Sequence, residues 1–263
     1  MDSFFAPAGE ARFRATEHTR GPWDDRFQHA GPPTALLARA MEHCEPRPAA
    51  QIMRVTFEIV RPIPIGTLTT AARVARPGRS VELLEAELSD EDGRELVRAR
   101  AWRLRTAEIE LTPAPAEVTD APPGPEHGRS LPFLPTGAEV GYHTATEWRF
   151  VAGAFRELGP ATVWMRPLMS LVAGEDVSPL CRVLVAADSG NGVSATLDFA
   201  RHRFVNVDLS VHLHRLPVGE WICLDARMRP EPEGVGLADT ALWDEQGPLG
   251  RALQTLLVER RSD

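Results

Sequence analysis

Residues 188–214 read DSGNGVSATLDFARHRFVNVDLSVHLH. The last nine of these alternate. Even positions carry Asn206, Asp208, Ser210, His212 and His214, and odd positions carry Val207, Leu209, Val211 and Leu213. A period of two puts one set on each face of a strand, the pattern of an antiparallel sheet with one wet face. Ahead of the strand, Val193, Thr196, Leu197 and Ala200 are spaced as a short helix that Asp188 or Ser189 caps.

The same order occurs earlier in the chain. Pro32 and Pro33 suit a helix start, because proline is preorganised there and its missing N–H is not needed. Leu36, Leu37, Ala40, Met41 and Cys44 form an apolar stripe behind them, and Glu45-Pro46 ends it. Arg61-Pro-Ile-Pro-Ile-Gly66 follows VTFEIV, and Arg215-Leu-Pro-Val-Gly219 follows DLSVHLH. Each is followed by a turn, Asp90-Glu-Asp-Gly93 and Asp244-Glu-Gln-Gly247. From Arg to turn Gly the interval is 93 − 61 = 32 and 247 − 215 = 32. The turns lead into LVRARAWRLR and ALQTLLVER. A shared order with an equal spacing points to a duplicated unit. Between the copies, residues 107–140 hold seven prolines and no apolar period, the composition of a semi-extended connector. The expected organisation is a first unit over 1–106, a proline-rich linker over 107–140 and a second unit over 141–263. The fold class is α+β, each unit a curved antiparallel sheet wrapped around one helix.

Composition narrows the chemistry. The 263 residues contain no lysine, so all 29 basic side chains are arginine. Schiff-base enzymes and lysine-bearing phosphate loops are excluded. A net charge of −8 argues against a nucleic-acid surface. No apolar run has the length of a membrane span, and the first residues lack the basic start and apolar core of a signal peptide. Cys44, Cys181 and Cys223 are odd in number and far apart, which suits a reducing compartment and a cytoplasmic protein without disulfides.

The ordered set RGPWDDRFQHAGPPTALLARAM, ADSGNG, FVNVDLSVHLHRLPVGEWICLDA and DEQGPLGRALQTLLVER resembles the double-hotdog acyl-CoA thioesterases of the thioesterase II (TesB-like) family. The resemblance covers nearly the whole chain outside the proline bridge. It implies two tandem hotdog domains and hydrolysis of an acyl-CoA to a free acid and CoA, with no metal and no cofactor. In that family a carboxylate, a hydroxyl residue and a glutamine hold the attacking water. Position by position these fall on Asp188, Asn206 and Gln254, so Asn206 departs from the family's hydroxyl. An amide still donates and accepts hydrogen bonds. Gly31 and Gly190 are expected at helix heads whose N–H groups stabilise the oxyanion. His29 occupies in the first half the place of Asp188 in the second. With Trp23 on the lip Arg20-Gly-Pro-Trp23, and Arg201 and Arg203, it is a candidate to bind substrate, the arginines through the CoA phosphates.

Each residue also has a plainer reading. Asp188 suits a helix cap, Asn206 and Gln254 suit ordinary strand polars, Trp23 suits a core anchor, and the arginines suit a solvated cluster. His212 and His214 share one strand face with the spacing of a metal arm, but no third ligand accompanies them. Three functions stay open. The chain is a thioesterase, a hotdog hydratase or dehydratase using a His–carboxylate pair, or a non-catalytic acyl-CoA-binding protein. One chain already supplies two hotdogs, and further pairing into a homo-oligomer stays open too.

Overall fold

Pro32 and Pro33 stand in the first turn of helix α1 (Gly31–His43), and Cys44 closes it. The computed structural model describes residues 2–111, 120–134 and 137–261. The first eight residues of α1 are all buried, so its head is enclosed on every side. Around it lie β1 (Ser3–Gly9), β2 (Arg12–Ala15), β3 (Ala50–Ile59), β4 (Thr67–Arg76), β5 (Val81–Ser89) and β6 (Glu95–Arg105). They pair antiparallel in the order β1-β2-β4-β5-β6-β3.

The later strands are β7 (Thr146–Ala152), β8 (Ala161–Pro167), β9 (Ser170–Val172), β10 (His202–Asn206), β11 (Asp208–Leu213), β12 (Ile222–Pro230), β13 (Val235–Asp244) and β14 (Gly247–Arg260). Their order is β7-β8-β12-β13-β14, with β10 and β11 both on β14. Two seams join the sets. β3 runs antiparallel to β11 with Val55 opposite Val211, and β1 runs parallel to β9 with Ser3 opposite Ser170. The result is one large mixed sheet with few helices.

The second helix is not where the spacing predicts it. Helix α2 spans Pro179–Ala187 and ends at Asp188, followed by the single turn α3 (Gly190–Val193). Thr196, Leu197 and Ala200 are not helical. Ser178 caps α2 by accepting the N–H of Cys181, with proline at the first helical position. Helix α2 has nine residues and one charged side chain, Arg182, too short a run for its period to stand out in the sequence. Asp188 therefore closes a helix rather than opening one.

The repeated Arg and turn meet in space. Arg215 grips Asp244 with both arms (2.5 and 2.6 Å) and donates to the carbonyl of Gly247 (2.9 Å). In the first half Arg61 donates to the carbonyl of Glu95 (2.5 Å), just past the turn. The Arg at one strand's end thus fastens the hairpin of its neighbours. The two turns differ in burial: Asp244 is 2% exposed, and the turn Asp90 pairs instead with Arg94. Burial raises the Asp244 carboxyl, but Arg215 and the N–H groups of Val218 and Gln246 outweigh it and hold it low. Arg215→Ala is expected to cost about 2–3 kcal/mol in urea unfolding, because it strands a buried carboxylate. Arg61→Ala, on the exposed partner, should cost under about 1 kcal/mol.

The alternating stretch 206–214 is broken at its start. Asn206 lies opposite Leu256 and Ser210 opposite Leu253, so four steps on one strand face three on the other. That is a one-residue bulge at Val207, which is 45% exposed rather than on the apolar face. The unpaired N–H of Thr255 is taken by the Asp208 carboxylate (2.6 Å). After the bulge Leu209, Val211 and Leu213 point inward; before it Phe204 does, and Asn206 with it.

Within the proline-rich stretch, residues 112–119 and 135–136 lie outside the described residues. Its later part is fastened to the second half. Arg129 and Phe150 exchange backbone bonds (2.9 Å each), Trp164 donates to the carbonyl of Pro123 (2.7 Å), and Leu131, Phe133 and Leu134 pack on the core.

Candidate active site

The end of α2 meets the head of α1. Gly31 permits this, since a Cβ there would lie 2.4 Å from the carbonyl oxygen of Val185. The contact sets the Asp188 carboxyl against the backbone N–H groups of Ala30 and Gly31. The Nδ2 of Asn206 donates to its Oδ1 (2.8 Å), and the Nε2 of Gln254 donates to the same oxygen (3.2 Å) and to the Asp188 carbonyl (3.0 Å). His29 Nδ1 is 3.2 Å from the other oxygen, Oδ2. Burial pushes the carboxyl up to about 7, against the opposing pull of Asn206, the two N–H groups and Gln254.

His29 is held from two sides. Its ring stacks on Tyr142 at 3.8 Å and 10°, and Nδ1 also receives the N–H of Gly31 (3.1 Å). Burial lowers the imidazole to about 3. Below about pH 7 the carboxyl carries a proton that faces Nδ1, and above it the carboxylate faces a neutral imidazole. Tyr142 in turn donates to the carbonyl of Val185 (2.5 Å) and meets the Ser189 hydroxyl (3.0 Å).

These groups open onto a cavity of about 760 Å³. Asp188, Asn206, His29, Trp23 and Arg203 line it. Gln254 does not. It is 1% exposed, and its Oε1 receives the N–H of Asn191 (3.0 Å), so it braces Asp188 from behind and is out of reach of a water in the cavity. Gly31 and Gly190 are also packing glycines: a Cβ at Gly190 would lie 2.4 Å from the Thr240 hydroxyl. Neither lines the cavity; Gly192 does, with open space beside it. Arg201 is exposed and outside the cavity. Trp23 both lines the cavity and packs on Phe199 (4.8 Å) and Phe204 (4.9 Å), so the lip and anchor readings are one. Arg261 lies over Trp23 and Phe199 at 5.4 and 4.5 Å.

Sequence reading missed Tyr142, Ser189 and the aromatic wall of Phe133, Trp148 and Phe155. One signal was available: Tyr142 is the chain's single tyrosine.

Residues 115–258 match the C-terminal domain of the acyl-CoA thioesterase family, and residues 19–104 match its N-terminal domain. The chain belongs to the acyl-CoA thioesterase family. Three solved structures are similar over almost its whole length. A protein of Thermobifida fusca assigned as a thioesterase II is 18% identical, with 97% of this chain and 95% of that one covered and a TM-score of 0.76. A hot dog fold protein of Alicyclobacillus acidocaldarius is 15% identical over 96% and 93%, with a TM-score of 0.71. The acyl-CoA thioesterase II of Mycobacterium marinum is 16% identical over 96% and 93%, with a TM-score of 0.65. At these identities the likeness shows the fold, a hotdog. No curated protein matches the chain in sequence. Among the described residues no helix of this acyl-CoA thioesterase is long and apolar enough to cross a membrane.

Proposed function

We propose that this chain hydrolyses acyl-CoA thioesters at Asp188, as two tandem hotdog units sharing one site. The observation that carries this is a single buried carboxyl, gathered by donors from both halves at the wall of a cavity. Both amide hydrogens of Asn206 are committed, to Asp188 Oδ1 and to the carbonyl of Asp208 (3.1 Å). What Asn206 offers a water is its oxygen. A water held between that oxygen and Asp188 Oδ2 loses a proton to the carboxylate as its oxygen bonds to the thioester carbon. The N–H groups of Ala30 and Gly31 at the head of α1 are spent on Asp188, where they favour its carboxylate as the base. The C–S bond then breaks. The thiolate leaves easily, and the proton on Asp188 passes to it, which restores the carboxylate.

Incubation with an acyl-CoA panel and a thiol-reactive dye tests the reading. CoA release supports it; silence across all chain lengths sinks it. Loss of the enoyl thioester absorbance without thiol release would instead assign the His29–Asp188 pair to hydration, and binding with neither would leave a non-catalytic acyl-CoA binder.

The pH profile carries a sign. The base works as a carboxylate, and its carboxyl titrates at about 7. kcat/KM is expected to fall about tenfold per pH below that value and to level above it. A rate that rises on acidification would mean that the protonated acid does the work.

A further inference from the structure

Two aromatic groups line the cavity, and they differ in the charged residues beside them. Trp23, Phe199 and Phe204 form one, with Arg203, Arg260 and Arg261 beside it against two carboxylates, Asp24 and Glu259. Phe133, Trp148 and Phe155 form the other, next to Tyr142 and His29. This second group is closed on itself. Phe133 meets Phe155 edge-on at 4.4 Å, Trp148 meets Phe155 edge-on at 4.9 Å, and His143 stacks on Phe133 at 4.8 Å. Phe133 comes from the proline-rich stretch between the halves. Its carbonyl accepts from the guanidinium of Arg156 (3.1 and 3.3 Å), and its ring packs against His143 and Phe155.

We infer that the acyl chain lies on the Tyr142–Trp148–Phe155 side and ends against Phe133, which sets the longest chain accepted. The inference rests on the thioester-hydrolase reading for which end of the ligand faces which wall. An uncharged aromatic pocket suits an alkyl chain, whereas the arginine-flanked side suits the anionic CoA portion. A methylene that finds buried space is worth about fourfold in affinity, from about 0.8 kcal/mol each. That gain stops when the chain reaches a fixed wall, since a packed ring yields little.

Affinities of a thioether series, S-alkyl-CoA of increasing length, read the wall without turnover. For the wild type the gain per methylene is expected to stop at one length. For Phe133→Ala, and in the same direction for the milder Phe133→Leu, it should continue for about two more methylenes, roughly fifteenfold in relative affinity. Phe199→Ala, on the opposite side, should leave the stopping length unmoved. An unchanged stopping length in both Phe133 variants, or a shift produced by Phe199→Ala alone, overturns the inference. The same variants assayed with acyl-CoA separate the two claims. A moved stopping length without thiol release keeps the wall and removes the hydrolase; thiol release with an unmoved length does the reverse.

Discussion

Asp188→Asn is expected to lower kcat by about 10³-fold and to raise stability at pH 8. A positioned general base contributes about 10²–10⁴-fold, and Asp188 is the carboxyl that Asn206, Gln254 and His29 all address. Stability moves the other way because the charged form is the costly one. The carboxyl titrates at about 7 when folded against an ordinary 3.8. Its stabilising neutral form is therefore fully present below about pH 4 and lost as pH rises through 7, a cost of up to about 4 kcal/mol at pH 8. Asparagine imitates the neutral acid: its oxygen accepts from Asn206 and Gln254, and its NH₂ donates to His29 Nδ1. Thermal unfolding at pH 5 and pH 8 checks this. The variant's Tm should exceed the wild type's by several degrees at pH 8 and by a smaller margin at pH 5, where only about 1.6 of the roughly 4 kcal/mol has been lost. An Asp188→Asn enzyme with full kcat would remove Asp188 as the base. One that is less stable at pH 8 would mean that the buried anion is not strained.

Gly31→Ala is expected to lower kcat by about 100-fold and stability by about 1–3 kcal/mol, although alanine is the better helix former. The added Cβ would sit 2.4 Å from the Val185 carbonyl oxygen and 3.1 Å from His29 Nδ1. The nearer atom is backbone, and it also accepts from Tyr142, so it cannot swing aside. The head of α1 must retreat by about 1 Å, carrying the N–H groups that hold Asp188, and a displacement of that size costs about 10²-fold in rate. Gly192→Ala is the control, because its Cβ meets nothing within 4 Å. Steady-state kinetics with urea unfolding reads both quantities. Wild-type kcat in Gly31→Ala would show that the cross-half contact does not set the site.

The resemblance was legible because it rests on local order. The α1 stripe, the repeated Arg-to-turn spacing and the strand runs are short-range patterns, and each lies on the element it marks. Helix α2 was not legible, since nine residues with Arg182 as the one charged side chain are too few to mark a period. Gln254 and His29 were named from position alone. Whether either touches water or only braces Asp188 depends on groups 63 or more residues away, such as Asn191 for Gln254.

The sequence by itself pointed to an α+β chain, a family and a short list of polar residues, because periodicity and turn chemistry are local. Tertiary structure decided what those residues face. One extra residue at Val207 turns Asn206 inward, where strict alternation would put it with Asp208 and Ser210 on the wet face. The approach of α2 to the head of α1 then brings His29 of one half to Asp188 of the other. A bulge and a helix contact are set by packing between distant segments, and neither leaves a period in the chain.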